Sequence, residues 1–150
     1  LRPAAADARG QRAIFIAMGP AGDLSRIAPA RFGSAWIYAG QVAGIGQIGP
    51  RDLLSLYNFR SVDASTRLYG ILGRPVSHSV SPAMHNAAFR QAGLNGLYIG
   101  LPAADIDDFV TFATAFGLAG ASVTIPYKVA IRERTTTVDP LAQRVGAINP

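Results

Sequence analysis

The chain has 150 residues, a formal net charge of +5 and no cysteine, which excludes a disulfide framework and a thiolate metal site. Hydrophobic residues make up 49% and charged residues 15%, a balance that supports a packed core and argues against disorder. The arginines are scattered, which suits a small anionic ligand better than a nucleic acid, and no apolar run reaches the roughly 18 residues that cross a bilayer.

The opening LRPAAADARGQR lacks the charged-then-apolar pattern of a secretion signal, so a cytoplasmic protein with no membrane or nucleic-acid partner is expected. The chain starts with Leu1 and stops at VGAINP without a polar tail, which reads as an internal piece of a longer protein. AIFIAM (13–18) suits a buried strand, LSRIAPARFG a short helix closed by Gly33, and SAWIYAG (34–40) a second buried strand. PRDLLSLYNF places Pro50 at the first position of a helix, with Leu53, Leu54 and Tyr57 at helical spacing. RSVDAST (60–66) is polar and reads as a linker.

Beyond it, RLYGILG is a strand and SPAMHNAAFRQAG a helix with Ser81 as N-cap, Pro82 at N1 and Gly93 past its end. GLYIGL is the next strand. DIDDFVTFATAFG is a helix with aspartates at its start and an apolar stripe of Ile106, Phe109, Val110, Ala113 and Phe116. GASVTI is a third strand, and helical patterns follow around 127–134 and 139–146. The alternation of strands and helices predicts a mainly parallel α/β architecture.

Three stretches could carry chemistry. GIGQIG (44–49) matches a G-x-G-x-x-G dinucleotide fingerprint, but Pro50 starts the helix after the third glycine, whereas the fingerprint needs that glycine within the helix. In SHSVSP, Ser79 and Ser81 precede a helix N-terminus, where two hydroxyls and free N–H groups could hold a carboxylate; Ser81 acting only as an N-cap is the plainer alternative. In SVTIPYK, a strand ends near Thr124 and Lys128 follows at the strand's C-terminal edge, where α/β sheets bind ligands. Lys128 is the sole lysine beside 13 arginines. A solvated surface lysine could have become arginine. A lysine that exchanges a proton could not, because arginine stays charged.

YGILGRPVSHSVSPAMHNAAFRQAGLNGLY, GASVTIPYK and AQRVGAIN resemble, in order and spacing, the N-terminal substrate-binding domain of shikimate dehydrogenase. The resemblance implies that Ser79 and Ser81 bind the substrate carboxylate and that Thr124 and Asn149 contact its hydroxyls. It implies that Lys128 is catalytic, assisting proton transfer as NADPH reduces 3-dehydroshikimate to shikimate. The family's NADP-binding half and partner aspartate would lie beyond residue 150. Pro150 stands where the family usually has threonine.

The first 60 residues resemble the C-terminal end of type I 3-dehydroquinate dehydratase, a β/α barrel, with Arg26 and Gln47 at positions that hold that enzyme's substrate. Together these imply the end of a barrel over 1–62 followed by an incomplete, mainly parallel α/β substrate-binding domain over 63–150, in a bifunctional shikimate-pathway enzyme. Two barrel units cannot close a barrel, so their strand edges should be exposed or misplaced. The alternative reading is a non-catalytic module that binds shikimate or quinate.

Overall fold

The computed structural model describes residues 12–19, 22–42 and 45–148. The chain divides into two compact units, Leu1–Arg67 with Ala83–Leu97, and Leu68–Pro82 with Tyr98–Pro150.

In the first unit, helix α1 (Asp23–Ile27) stops at Ala28, and Pro29 opens a separate 3-10 turn, Pro29–Phe32. The single helix expected over LSRIAPARFG is therefore broken, because proline removes a helix donor and restricts the residue before it. Gly33 ends the turn in the left-handed conformation (φ 70), as its position predicts. Helix α2 (Pro50–Ser55) has Pro50 in its first turn and Gly49 as its extended N-cap. Leu24, Ile27, Phe32, Leu53 and Leu97 are buried here.

The two strands expected over 13–18 and 34–40 do not form a ladder. They share one parallel bridge, Ala13 with Ser34, supported by hydrogen bonds from Ala35 N–H to Ala13 O (2.8 Å) and from Phe15 N–H to Ser34 Oγ (2.8 Å). Trp36 and Tyr38 are exposed. The physical reason is that an apolar run becomes a strand only through the ladder it joins, and two short segments alone are marginal.

The second unit holds a three-stranded sheet in the order β2-β1-β3, built from β1 (Arg67–Gly73), β2 (Gly96–Pro102) and β3 (Leu118–Val123). Strand β1 pairs in parallel with β3, in register from Tyr69 with Gly120 to Leu72 with Val123. In the chain, helix α3 (Ser81–Gln91) lies between central β1 and outer β2, and helix α4 (Ile106–Phe116) lies between β2 and the other outer strand, β3, so the second connection passes the central strand. Leu68, Ile71, Leu72, Ile99 and Leu101 are buried, the near-continuous pattern of strands covered on both faces, whereas β3 is buried only at Val123.

Helix α4 begins with a reciprocal cap. Asp105 accepts from Asp108 N–H (2.8 Å), and Asp108 accepts from Ala104 N–H (3.0 Å). Gly117 closes it with φ 63. A 3-10 turn, Ala130–Arg134, and helix α5 (Pro140–Val145), capped by Asp139, complete the described chain.

Candidate functional site

The site is built where β1 and β3 end side by side. The ladder runs past the formal end of β3. Thr124 N–H donates to Leu72 O (2.8 Å), and Arg74 N–H donates to Ile125 O (3.0 Å). Gly73 makes this approach possible. A Cβ there would collide with Thr124 Cγ2 and would stand 3.0 Å from Val76 Cγ1 and 3.1 Å from Ile125 O. The loop that carries Ser79 and the turn that carries Lys128 thus leave from one edge of the sheet. It is the C-terminal edge, at which open α/β sheets hold ligands.

Ser79 and Ser81 lie together at the start of α3. Ser79 Oγ accepts from Ser81 N–H (3.2 Å), so the side chain that caps this N–H is Ser79, and Ser81 itself begins the helix. Ser79 N–H donates to Val76 O (3.1 Å), which closes the turn. Both serines are half-buried.

Thr124 and Lys128 are half-buried in the turn after β3. Tyr127 N–H donates to Thr124 O (3.0 Å), and Ile131 N–H donates to Tyr127 O (3.0 Å). The buried Tyr127 hydroxyl reaches Ala103 O (2.8 Å) and Ala104 O (3.2 Å), pinning the turn to the residues after β2. Lys128 O accepts from Ile148 N–H (2.8 Å), which holds the lysine's backbone from its other side. Asn149, the residue after that donor, lies outside the described residues. Ile125 and Val129 are exposed beside Lys128. Sequence reading missed Tyr127 and Gly73. An aromatic hydroxyl directly before the lysine was the available signal for the first.

In the first unit Arg26 is buried on α1. Its Nη2 donates to Ile45 O (2.9 Å) and lies 3.7 Å from Met18 Sδ, while Nε is buried without a hydrogen-bond partner. Gln47 folds back over its own loop, with Oε1 accepting from Val42 N–H (3.3 Å) and packing against Gly40. Arg26 thereby bonds Ile45, and Gln47 bonds Val42. Burial raises the Asp23 carboxyl to about 6 against the opposing charge of Arg26. Burial, with the charges of Asp23 and Asp52, raises the Tyr57 phenol to about 12.

His78 is exposed, and His85 packs its ring 6.2 Å from that of Phe89. Among the described residues no group of three or more histidine or carboxylate side chains is placed to hold a metal, and no helix is long and apolar enough to cross a membrane. Gly49 of GIGQIG is an extended N-cap (φ −61, ψ 145), outside the helix it precedes. It does not occupy the place the third glycine takes in a dinucleotide fold.

These features define an α/β domain in which the loop bearing Ser79 and the turn bearing Thr124 and Lys128 leave the C-terminal edge of a parallel sheet. Residues 71–150 match the family model "Shikimate dehydrogenase substrate binding domain", and the chain belongs to that family. Residues 2–64 match the model "Type I 3-dehydroquinase".

The chain is 42% identical over 143 residues to the chloroplastic bifunctional 3-dehydroquinate dehydratase/shikimate dehydrogenase of Arabidopsis thaliana, covering 91% of this chain and 23% of that protein. It is 45% identical over 91 residues to the NADP(+) shikimate dehydrogenase of Methanopyrus kandleri, covering 59% of this chain and 31% of that one. A shikimate 5-dehydrogenase from Listeria monocytogenes, solved with shikimate and NAD, superposes with a TM-score of 0.53 at 37% identity, over 56% of this chain and 30% of that one. The chain therefore spans less than a third of the length of each of these relatives.

Proposed function

We propose that the chain carries the substrate-binding and proton-transfer side of a shikimate dehydrogenase site, in a protein that joins this activity to 3-dehydroquinate dehydratase. The boundary falls near residues 62 and 63. The observation that carries the reading is the meeting of the Ser79 loop and the Thr124–Lys128 turn at one sheet edge, over Gly73. The relatives' names and the shikimate complex of the Listeria protein support the choice of ligand.

In this reading Ser79 and Ser81 hold the shikimate carboxylate at the N-terminus of α3, where backbone N–H groups favour an anion. Thr124 and Asn149 bond the ring hydroxyls. The Lys128 ammonium gives a proton to the oxygen of the 3-dehydroshikimate carbonyl as that carbon is reduced, and takes it back in the reverse direction. NADPH, when bound, supplies the hydride. The GIGQIG loop does not fit it, since Gly49 lies outside helix α2. NADP is therefore assigned to the portion of the relatives that this chain does not span.

Arg26 and Gln47 are the residues that would contact the dehydratase substrate. Their bonds to Ile45 and Val42 would then have to be exchanged for bonds to that ligand. The cytoplasm is the proposed location, although the Arabidopsis relative's name places that protein in the chloroplast.

Calorimetric titration of the chain with shikimate tests the reading. Saturable binding is expected, and Ser79→Ala with Ser81→Ala should weaken it about tenfold or more, the loss of bonds to a charged group. Absence of binding, or binding indifferent to both serines, refutes the assignment.

A further inference from the structure

Residues 58–67 comprise the end of the stretch that matches the dehydratase model (2–64) and the start of the gap before the stretch that matches the dehydrogenase model (71–150). The polar run 60–66 within them reads as a linker. In the structure these residues are largely exposed yet held in a hydrogen-bond net with the second half of α3 and the turn into β2, all inside one compact unit.

Asn58 uses both ends of its amide. Nδ2 donates to Asn86 O (3.2 Å), and Oδ1 accepts from Arg90 Nη1 (2.5 Å), which also donates to Ser55 O (3.3 Å). Asn58 takes the left-handed conformation (φ 52), one that asparagine tolerates better than most residues. Asn95 is the second centre. Its Oδ1 accepts from Thr66 Oγ1 (2.7 Å), and its Nδ2 donates to Ser65 Oγ (3.1 Å) and Asp63 Oδ1 (3.3 Å). Its backbone carbonyl accepts from Arg67 N–H (3.0 Å).

The Asp63 carboxylate also accepts from Ser65 N–H (2.8 Å) and Ser65 Oγ (2.7 Å), and these bonds, with that from Asn95, hold it down to about 2. Arg31 Nη1 donates to Thr66 O (2.5 Å), extending the net to the Pro29–Phe32 turn. Thr66 and Asn86 are each 1% exposed. Buried polar groups are costly to leave unpaired, so the bond from Thr66 to Asn95 anchors a net whose other members, Asp63, Ser65, Arg90 and Asn95, lie at the surface. A cavity of about 270 Å³ shares its walls between the two stretches, with Val62 from one and Phe89 and Leu94 from the other.

We propose that Asn58 and Asn95 are the two centres of a clasp that locks the joint between the two family segments, so that residues 58–67 open together with the second half of α3. The dehydratase-like stretch is then carried on a rigid mount, not on a tether. This goes beyond the catalytic reading and does not depend on it.

Hydrogen exchange read by mass spectrometry on the whole chain tests the clasp. Amides of 61–67 and 86–96 should show protection within about threefold of each other, because a cooperative unit opens with one free energy. Asn95→Ala should lower protection of both about tenfold, the loss of a net hydrogen bond or two, while α4 (106–116) keeps its own. Asn58→Ala should lower the same two stretches, and in both variants trypsin should cut after the exposed Arg60 faster.

The proposal is overturned if 61–67 exchanges at free-peptide rates in the unaltered chain while 86–96 stays protected. It is equally overturned if either substitution deprotects one stretch alone. Should Asn95→Ala also strip protection from α4, the chain has unfolded globally, and Asn58→Ala at its half-buried site decides.

Discussion

Gly73→Ala tests whether the meeting of the two loops depends on the missing side chain. The added methyl would overlap Thr124 Cγ2 and press on Val76 Cγ1 at 3.0 Å and Ile125 O at 3.1 Å. Two of these three neighbours belong to the turn that carries Lys128, and the third to the loop that carries Ser79. Residue 73 is buried at the end of β1, so the methyl has no open direction to move into. Inserting one methyl group into a packed site of this kind costs about 1–3 kcal/mol. For a chain of this length that lowers the thermal midpoint by roughly 2–12 °C.

Shikimate affinity should fall with it, because the relief available is to push the Thr124 turn away from the Ser79 loop. Urea unfolding and calorimetric titration read the two effects. A second substitution makes the test specific. Thr124→Ser removes the methyl that is struck first, so Gly73→Ala with Thr124→Ser should be more stable than the sum of the single effects by about 0.5–1 kcal/mol. An unchanged unfolding midpoint in Gly73→Ala, or strictly additive effects in the pair, would refute the steric argument.

Three further outcomes follow from the same structure. In the NADPH-dependent holoenzyme, Lys128→Ala should reduce turnover about 10²–10⁴-fold while shikimate binding changes little; a proportionate loss of affinity with normal turnover at saturation would make Lys128 a binding group. Tyr127→Phe leaves Ala103 O without its 2.8 Å partner and should cost about 1–2 kcal/mol in urea unfolding; no change would mean that the hydroxyl does not anchor the turn.

Asp23→Asn should stabilise the chain at pH 7 and do nothing near pH 3.5. The folded carboxyl titrates at about 6 and the unfolded one near 3.8, so the folded state holds its proton longer and stability falls as pH rises between those values. The difference corresponds to about 3 kcal/mol. Solvent screening of this partly exposed group reduces that to about 1–2 kcal/mol. Urea midpoints at the two pH values check it, and a stabilisation that is the same at both would refute it.

The second unit was readable from sequence because its signals are local and agree with one another. The apolar runs of β1 and β2, the aspartate cap of α4 and Gly117 beyond its end each specify the same element boundaries that the structure shows. The first unit was less readable for a definable reason. AIFIAM and SAWIYAG are apolar enough for strands, but the state of a strand is decided by its neighbours, and here they share one bridge. The helix expected to run to Gly33 stops at Ile27 instead, before Pro29.

The placement of Ser79, Ser81, Thr124 and Lys128 beside element ends was legible because turn and cap signals mark those ends. Tyr127 was not, because its hydroxyl bonds a carbonyl 24 positions earlier, and no periodicity reports such a pairing. Gly73 was hidden in the same way, since its value lies in what Thr124 does 51 positions later. The polar segment 60–66 is largely exposed, as its composition predicts, but the buried Thr66 spends its hydroxyl on Asn95, a pairing no composition reports.

The hydrogen bond from Ile148 to Lys128 O, together with the Tyr127 anchor, has a bearing on how a ligand would meet the lysine. With its main chain gripped on both sides, the residue behaves as a flexible stalk on a fixed foot. The amine sweeps a region bounded by its own four side-chain torsions, and stilling those costs at most about 2 kcal/mol. A lysine on a slack loop would add about 1–2 kcal/mol for every backbone residue that had to settle at the same moment. The fold has settled those residues beforehand.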